Sequence, residues 1–180
     1  SSQIKGGDTR FLRPVPEQTL TIPSTAERVI TVGAYNGIFE SYADFSGRGY
    51  VTRLSEGYIS VVKPEIAAPG VGILAENAYG LQRFDGTSFA TPFVTGAAAL
   101  LMEWGIVRGN DPFLYGEKIK AYLRKGARPL RGEMEYPNDR VGYGRLCVAD
   151  SLPQTGTTEG STLVAHWKQF RKRNEEKQMK

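Results

Sequence analysis

Two spacings of hydrophobic residues alternate along this chain. Short apolar runs at residues 19–22 and 29–32 are typical of β-strands, and residues 58–62 alternate weakly between apolar and polar positions. Residues 66–73 are interrupted by proline and glycine, which predicts a turn region. Strand segments followed by helical segments favour the α/β fold class.

The longest apolar run, residues 88–104, predicts a helix. Apolar or small residues occupy every side of it, and this pattern predicts a helix that is buried all round. Gly105 offers a C-terminal stop. A second predicted helix, residues 115–125, carries Ile119, Tyr122 and Leu123 on one stripe, which is typical of a surface helix.

A tight turn before the long helix presents one hydroxyl group. Residues 85–92 read DGTSFATP, in which Gly86 allows a sharp turn and Ser88 falls at or near the first helical position. Backbone N–H groups at a helix start have no acceptor within the helix and favour nearby negative charge. Ser88 is therefore a candidate nucleophile beside oxyanion donors. A bare Gly-Thr-Ser is also compatible with a serine that only caps the helix.

The longer string resembles the serine motif of the subtilisin-like proteases, Gly-Thr-Ser-x-Ala-x-Pro, with Phe93 where many relatives have histidine. Other segments resemble the same family in the same order: ERVITVGA at 27–34, YADFSGRG at 42–49, KPEIAAPGV at 63–71 and VGYGRL at 141–146. Glu65 replaces the usual aspartate of the third segment. The chain is thus identified as a member of the subtilases, peptidase family S8, from about Pro23 to about Leu152.

This resemblance implies the C-terminal part of a three-layer fold with a parallel sheet and a buried central helix after the nucleophile. It also implies a domain order, in which residues 21–152 form the C-terminal half of the catalytic domain and residues 153–180 a basic extension. Residues 1–20 resemble a connector or the end of an inserted β-rich segment, as in a clostridial branch that includes spore-germination proteases.

The resemblance implies a serine endopeptidase that cleaves polypeptides through an acyl-enzyme on Ser88, with the Ser88 backbone N–H as an oxyanion donor. The aspartate and histidine that activate the serine precede it in subtilases. Residues 1–87 contain no histidine and no Gly-Asn segment for the side-chain oxyanion donor. We therefore expect a fragment that is inactive alone, whose partner is the missing N-terminal half, and which self-associates when isolated.

Two alternatives stay open at the level of sequence. Ser88, Asp150 and His166, the only histidine, follow the chain order of α/β-hydrolase esterases. That fold needs Gly-x-Ser-x-Gly after a buried strand, whereas Ala90 ends the motif here and the preceding residues are polar. The second alternative is a non-catalytic interaction module.

The distribution of charge and aromatic residues indicates which classes of partner to expect. The net charge of +4 comes from residues 168–180. Leu163, Trp167 and Phe170 are spaced to form one stripe of a terminal helix. The rest of the chain lacks a basic patch with interleaved aromatic residues, so we expect neither nucleic acid nor a membrane as partner. No stretch is expected to reach transmembrane length, and the N-terminus is unlike a signal peptide.

The expected cofactor and cellular location of the protein are implied only by the family resemblance. Subtilases require no cofactor; calcium sites are common among them, but no carboxylate cluster here has an assignable ligand spacing. The single cysteine, Cys147, excludes an internal disulfide and is expected to be a small core residue. The family implies an extracellular or cell-surface location in bacteria, with spore association in the clostridial branch.

Overall fold

Short strands and one long helix form the framework that positions the serine turn. The computed structural model describes residues 13, 15–55 and 57–152. The strands are β1 (Val32–Asn36), β2 (Ser41–Tyr42), β3 (Tyr50–Arg53), β4 (Ile59–Lys63), β5 (Ile66–Pro69), β6 (Ile73–Asn77) and β7 (Gly80–Phe84). The helices are α1 (Thr87–Met102), which a π-helical turn (Glu103–Val107) extends, α2 (Gly116–Lys125) and α3 (Val148–Ser151).

The main sheet has parallel strands at its centre. β1 pairs in parallel with β5, from Val32 opposite Ile66 to Tyr35 opposite Pro69, and antiparallel with β2. Single bridges from Arg145 to Ala67 and Arg128 extend the sheet beyond β5. The hairpins β3–β4 and β6–β7 form separate two-stranded sheets. The carboxyl ends of β1 and β5 therefore meet at one edge, and the chain that leaves β5 starts there.

Small residues let α1 pack closely on the sheet. Ala34 and Ala68 are fully buried in one hydrophobic cluster with Ala90, Val94 and Ala97 of α1. The opposite face of β1 and β5 is covered by a second cluster, which contains Tyr35, Ala67, Leu130 and Val141. The parallel pair thus lies between α1 and the segment around residues 130–141, as layered α/β packing requires.

The α/β class and both long helices agree with the sequence prediction, whereas the strands agree only in part. The first central strand begins at Val32 rather than at residue 29, and residues 19–22 form no strand. The turn predicted for residues 66–73 is wrong for residues 66–69, which form β5, and is confirmed only for residues 70–72 between β5 and β6. Alanine and proline have weak strand propensity, but burial between β1 and Arg145 overrides that propensity.

The prediction that α1 is buried all round is also wrong. Only Ala90, Val94, Ala97 and Leu101 are buried, all on the face toward the sheet. On the outer face the exposed fraction is 44% for Phe93 and 50% for Leu100, and Gly96 and Ala99 are exposed as well. The side chains of α1 are apolar or small on every side of the helix. The described part of the chain nevertheless covers only one of its faces.

Gly105 is not the helix stop that the sequence suggests. The helix continues through it in the π-helical turn to Val107. A Cβ atom at Gly105 would lie 2.8 Å from Leu114 Cδ2, so the glycine allows close packing between the helix end and the following loop.

The expectation that no stretch reaches transmembrane length is wrong as well. The continuous helix Thr87–Val107 is long and apolar enough to cross a membrane. This finding concerns length and composition alone, and the core helix of a globular domain meets the same criterion. The packing of α1 on β1 and β5 is the behaviour of such a core helix.

Candidate active site

A glycine turn connects the sheet to the start of α1. Gly86 has φ 152° and ψ 153°, a conformation that is essentially restricted to glycine. Its N–H donates a hydrogen bond of 2.8 Å to Gly70 O, and its carbonyl accepts one of 3.1 Å from the Phe89 N–H. Because Gly70 directly follows β5, these bonds attach the turn to the carboxyl edge of the sheet.

Gly70 is the point of closest approach in this attachment. A Cβ atom there would lie 2.7 Å from Ala34 Cβ and 2.9 Å from Gly86 O. The Gly70 N–H donates to Tyr35 O at 3.0 Å. Gly70, which directly follows β5, therefore packs against both β1 and the serine turn.

Ser88 is the second residue of α1 and is exposed to solvent. Since the helix begins at Thr87, the Ser88 N–H has no acceptor within it. Pro92 has no N–H to donate to the Ser88 carbonyl one turn below. The Thr91 hydroxyl donates to a different carbonyl, Thr87 O, at 3.0 Å. The structure thus places an exposed hydroxyl at the positive end of a sixteen-residue helix.

Hairpin β6–β7 is fixed to the same turn. The rings of Phe84, the last residue of β7, and Phe89, the neighbour of Ser88, stack with centroids 4.9 Å apart. Asp85 Oδ1 accepts a hydrogen bond of 2.6 Å from the Gly72 N–H. Both ends of the hairpin are therefore held against the residues that flank Ser88.

An open cleft lies beside the start of α1. It has a volume of about 500 Å³. Thr87 and Thr91 of α1 line one side of it, and Ile30 and Val32 line another. The remaining lining residues are Thr19, Leu20, Thr21, Pro23, Ser24, Val29, Thr31, Phe45 and Gly47. The cleft therefore lies on the side of the helix start that Thr87 and Thr91 form, and Ser88 itself is not among its lining residues.

Comparison with protein families agrees with this arrangement. The model of the subtilase family, peptidase S8, matches residues 7–144, which is more than half of the chain. This chain belongs to the subtilase family.

Solved and curated relatives of this subtilase are longer proteins. The structure of the CspB protease of Clostridium perfringens is 50% identical with a TM-score of 0.69, and the match covers 79% of this chain and 29% of CspB. The serine protease AprX of Bacillus subtilis is 33% identical over 76% of this chain and 32% of its own length. The minor extracellular protease Vpr of the same species is 32% identical over 69% of this chain and 16% of its own length. The subtilase chain therefore spans about a third or less of these relatives.

Asp150 of this subtilase is bound to Arg128. The Arg128 Nε and Nη2 atoms both donate to the Asp150 carboxylate, the latter at 3.0 Å to Oδ1. These bonds hold the pKa of Asp150 below its usual range. The carboxylate is therefore already engaged, which weighs against its use to orient a histidine. His166 and the stripe of Leu163, Trp167 and Phe170 lie outside the described residues.

Cys147 is half-buried rather than part of the fully buried core that the sequence predicts. Within residues 13, 15–55 and 57–152, no three or more His, Cys, Asp or Glu side chains are grouped closely enough to hold a metal ion.

A buried ionic cluster, which the sequence alone did not reveal, lies at the opposite, amino edge of the subtilase sheet. Lys63 and Glu65 are 0% and 2% exposed, and Lys63 Nζ donates to Glu65 Oε1 at 2.7 Å. The Thr31 N–H donates to Glu65 Oε2 at 2.6 Å, and the Lys120 Nζ lies 3.5 Å from Glu65 Oε1. Glu65 thus joins β5, the segment before β1 and helix α2.

One signal for this cluster was present in the sequence. Lys63 and Glu65 flank Pro64 directly before the apolar residues 66–69, where exposed charges are out of place. The charges alone do not identify the partner Lys120, which is distant in sequence and meets Glu65 only in the folded chain.

Proposed function

We propose that this chain supplies the nucleophile of a subtilisin-like serine endopeptidase. Ser88 Oγ attacks the scissile carbonyl carbon while its proton passes to a histidine from another part of the catalytic domain. The same histidine protonates the leaving amine, which leaves an acyl-enzyme ester on Ser88. Water then hydrolyses the ester and frees the carboxylate and the serine.

The position of Ser88 carries this proposal. The side chain is exposed, its backbone N–H lacks an acceptor within the helix, and the cleft next to Thr87 offers room for a bound polypeptide. The N–H would donate to the oxyanion, whose charge the helix end also favours. A serine that only capped the helix would instead use its Oγ to accept from a backbone N–H, and no such cap bond occurs at this helix start.

The described residues contain no histidine that could act as the base for Ser88. Residues 1–87 lack histidine, although the base precedes the serine in this family. We therefore propose that the chain acts only with a complementary part of the catalytic domain, and that neither nucleic acid nor a membrane takes part. The name of its relative Vpr supports an extracellular location. We propose no cofactor, and no step of the reaction uses calcium.

Labelling with a fluorophosphonate probe tests the nucleophile. We expect negligible labelling of the chain alone, and strong labelling at Ser88 when the part of Clostridium perfringens CspB outside the matched region is added as a separate polypeptide. Ser88→Ala should abolish labelling, whereas Ser60→Ala, at an exposed position of strand β4, should leave it unchanged.

The outcomes separate the alternatives. A complex that forms but takes no label would overturn the proposal and favour a non-catalytic interaction module. Strong labelling of the chain alone that is lost in His166→Ala would favour the α/β-hydrolase mechanism.

A further inference from the structure

The glycine turn before Ser88 depends on its neighbours for its conformation. Gly86 has no side chain, and its φ of 152° and ψ of 153° lie in a region that is essentially restricted to glycine. Glycine also has the largest conformational freedom to lose on folding, so nothing within Gly86 itself selects this conformation. Contacts with adjacent segments must therefore fix the direction in which the Ser88 hydroxyl and N–H point.

Two side chains from the strand that leads into the turn bind the backbone of Gly72. The Gly72 N–H donates to Asp85 Oδ1 at 2.6 Å, and Arg83 Nη1 donates to Gly72 O at 3.0 Å. Both bonds involve a charged group, and such hydrogen bonds are about twice as strong as neutral ones. Residues three and five positions before Ser88 thus occupy both polar groups of one glycine.

These bonds complete an attachment that begins at Gly70. The Gly86 N–H donates to Gly70 O at 2.8 Å, so the segment 70–72 is bound at both ends to residues 83–86. Arg83 and Asp85 are exposed, and their truncation would therefore open no cavity in the core. We call the group of Gly72, Arg83 and Asp85 the Gly72 clamp.

We propose that Asp85 and Arg83 are positioning residues for Ser88, which act through the Gly72 clamp and not on the substrate. The inference rests on the proposed function, because it concerns the geometry in which Ser88 attacks. Without the clamp, the turn at Gly86 would sample other conformations, and Ser88 Oγ and N–H would less often lie where the reaction needs them. A displacement of a reacting group by about 1 Å can lower a rate on the order of 100-fold.

Labelling kinetics test the role of Asp85. The enzyme is the chain reconstituted with the part of Clostridium perfringens CspB outside the matched region. Asp85→Ala should lower the limiting rate of fluorophosphonate labelling at Ser88 by about tenfold or more, with little change in the probe concentration that gives half of that rate. Asp85→Asn keeps an acceptor oxygen at the same position, so its limiting rate should stay within about threefold of the wild type.

Asp111→Ala is the matched structural control. It removes the hydrogen bonds that Asp111 accepts from Lys118 and Tyr122, which lie beyond the far end of α1 from Ser88. Urea denaturation should show a loss of stability at least as large as in Asp85→Ala, while the labelling rate should be unchanged. The comparison separates an effect on the position of Ser88 from a general loss of stability.

Amide hydrogen exchange in the chain alone measures the clamp without catalysis. In Asp85→Ala, exchange at the Gly86 amide should quicken by about tenfold or more, because its bond to Gly70 O opens more often. Asp85→Asn should keep the protection. The Ala67 amide, which donates to Gly144 O on the other side of β5, is the internal control and should change little.

The outcomes separate this proposal from the catalytic one. Faster Gly86 exchange in Asp85→Ala, together with a wild-type complex that takes no label, would support the hold of the clamp on the turn and overturn the endopeptidase. Equal labelling of Asp85→Ala and the wild type, or unchanged Gly86 exchange, would overturn the Gly72 clamp alone. A loss of labelling that Asp111→Ala or Asp85→Asn reproduces in full would overturn it as well.

Discussion

Ser88 differs from several other serines in how its hydroxyl is used. Ser46 Oγ accepts from the Ala34 N–H, and the hydroxyls of Ser24 and Ser151 donate to backbone carbonyls. These three side chains hold local structure. Ser88 is exposed and forms no side-chain cap bond at the helix start, which leaves its oxygen available for chemistry.

Substitution of Gly70 tests how closely the serine turn depends on the sheet. In Gly70→Ala the new methyl group would lie 2.7 Å from Ala34 Cβ and 2.9 Å from Gly86 O. We expect a loss of about 1–3 kcal/mol in the free energy of unfolding, and weaker labelling of Ser88 in the reconstituted enzyme. Urea denaturation and probe labelling measure the two effects.

Gly96→Ala is the matched control for this change. Nothing lies within 4 Å of a Cβ atom at this exposed position in α1. Alanine should therefore stabilise the chain, by about 0.5–1 kcal/mol. Equal stability of the two variants would contradict the close contact at Gly70.

Glu65 provides a second prediction at the residue scale. Glu65→Gln leaves the buried ammonium groups of Lys63 and Lys120 without their shared carboxylate. The expected loss is about 3–5 kcal/mol in the free energy of unfolding, because an uncompensated buried charge is costly. Urea denaturation of the variant and the wild type gives the value.

Asp150→Asn is the comparison for this variant, because it breaks the more exposed ion pair with Arg128. Its cost should stay within about 1 kcal/mol. If Glu65→Gln were as mild as Asp150→Asn, the cluster around Glu65 would contribute little to stability.

At the scale of elements, the sequence predicted helices better than strands. The spacing of apolar residues predicts both α1 and α2, and the glycine at residue 86 marks the start of α1. β5 contains two alanines and a proline, so its strand state depends on neighbours that a local pattern does not reveal. The hairpin β6–β7 went unpredicted because its strands are largely exposed and its turn lacks an Asn-Gly pair.

The same distinction applies to the candidate site. Ser88 and its turn could be identified from one contiguous motif. The cleft could not, because its walls come from residues 19–24, 29–32 and α1, which only the fold brings together.

The loop between the π-helical turn and α2 is attached to α2 by a pH-dependent interaction, here called the Asp111 tie. Asp111 accepts from Lys118 Nζ at 2.7 Å and from the Tyr122 hydroxyl at 3.0 Å. The hydrogen bond from Lys118 lowers the pKa of Asp111 below its usual value. The tie therefore stabilises the fold above the pKa of an unfolded aspartate, about 3.9, and is lost as pH falls through the lower folded pKa.

Thermal unfolding of Asp111→Asn tests this sign. The melting temperature of the variant should lie below that of the wild type at pH 7, and the gap should close progressively below about pH 4. A gap that widened on acidification would contradict the assignment. Asp139→Asn is a control on an aspartate with no ion pair to a described residue.

At the scale of the whole molecule, the described residues cover α1 on one side only. Its inner face holds the core together, while its outer face exposes Phe93 and Leu100. Exposed apolar surface of this kind marks an interaction site or promotes association of copies. We therefore expect the chain alone to dimerise or aggregate.

Sedimentation of a surface variant tests this expectation. Leu100→Gln should shift the isolated chain toward monomer, because it removes half-exposed apolar surface from α1. Leu81→Gln, on the similarly exposed hairpin strand β7, should leave the association unchanged. A wild-type chain that stays monomeric at high concentration would contradict the prediction.

Gly96 gives the outer face of α1 a shallow depression at mid-length, since it carries no side chain and no described atom fills the space around it. A neighbour that packs there can bring its own backbone unusually near. Gly96→Ala, which should stabilise the isolated chain, would then place a methyl group in the way of that neighbour's backbone. The same substitution should thus raise the stability of the isolated chain and lower its affinity for a partner that packs on α1.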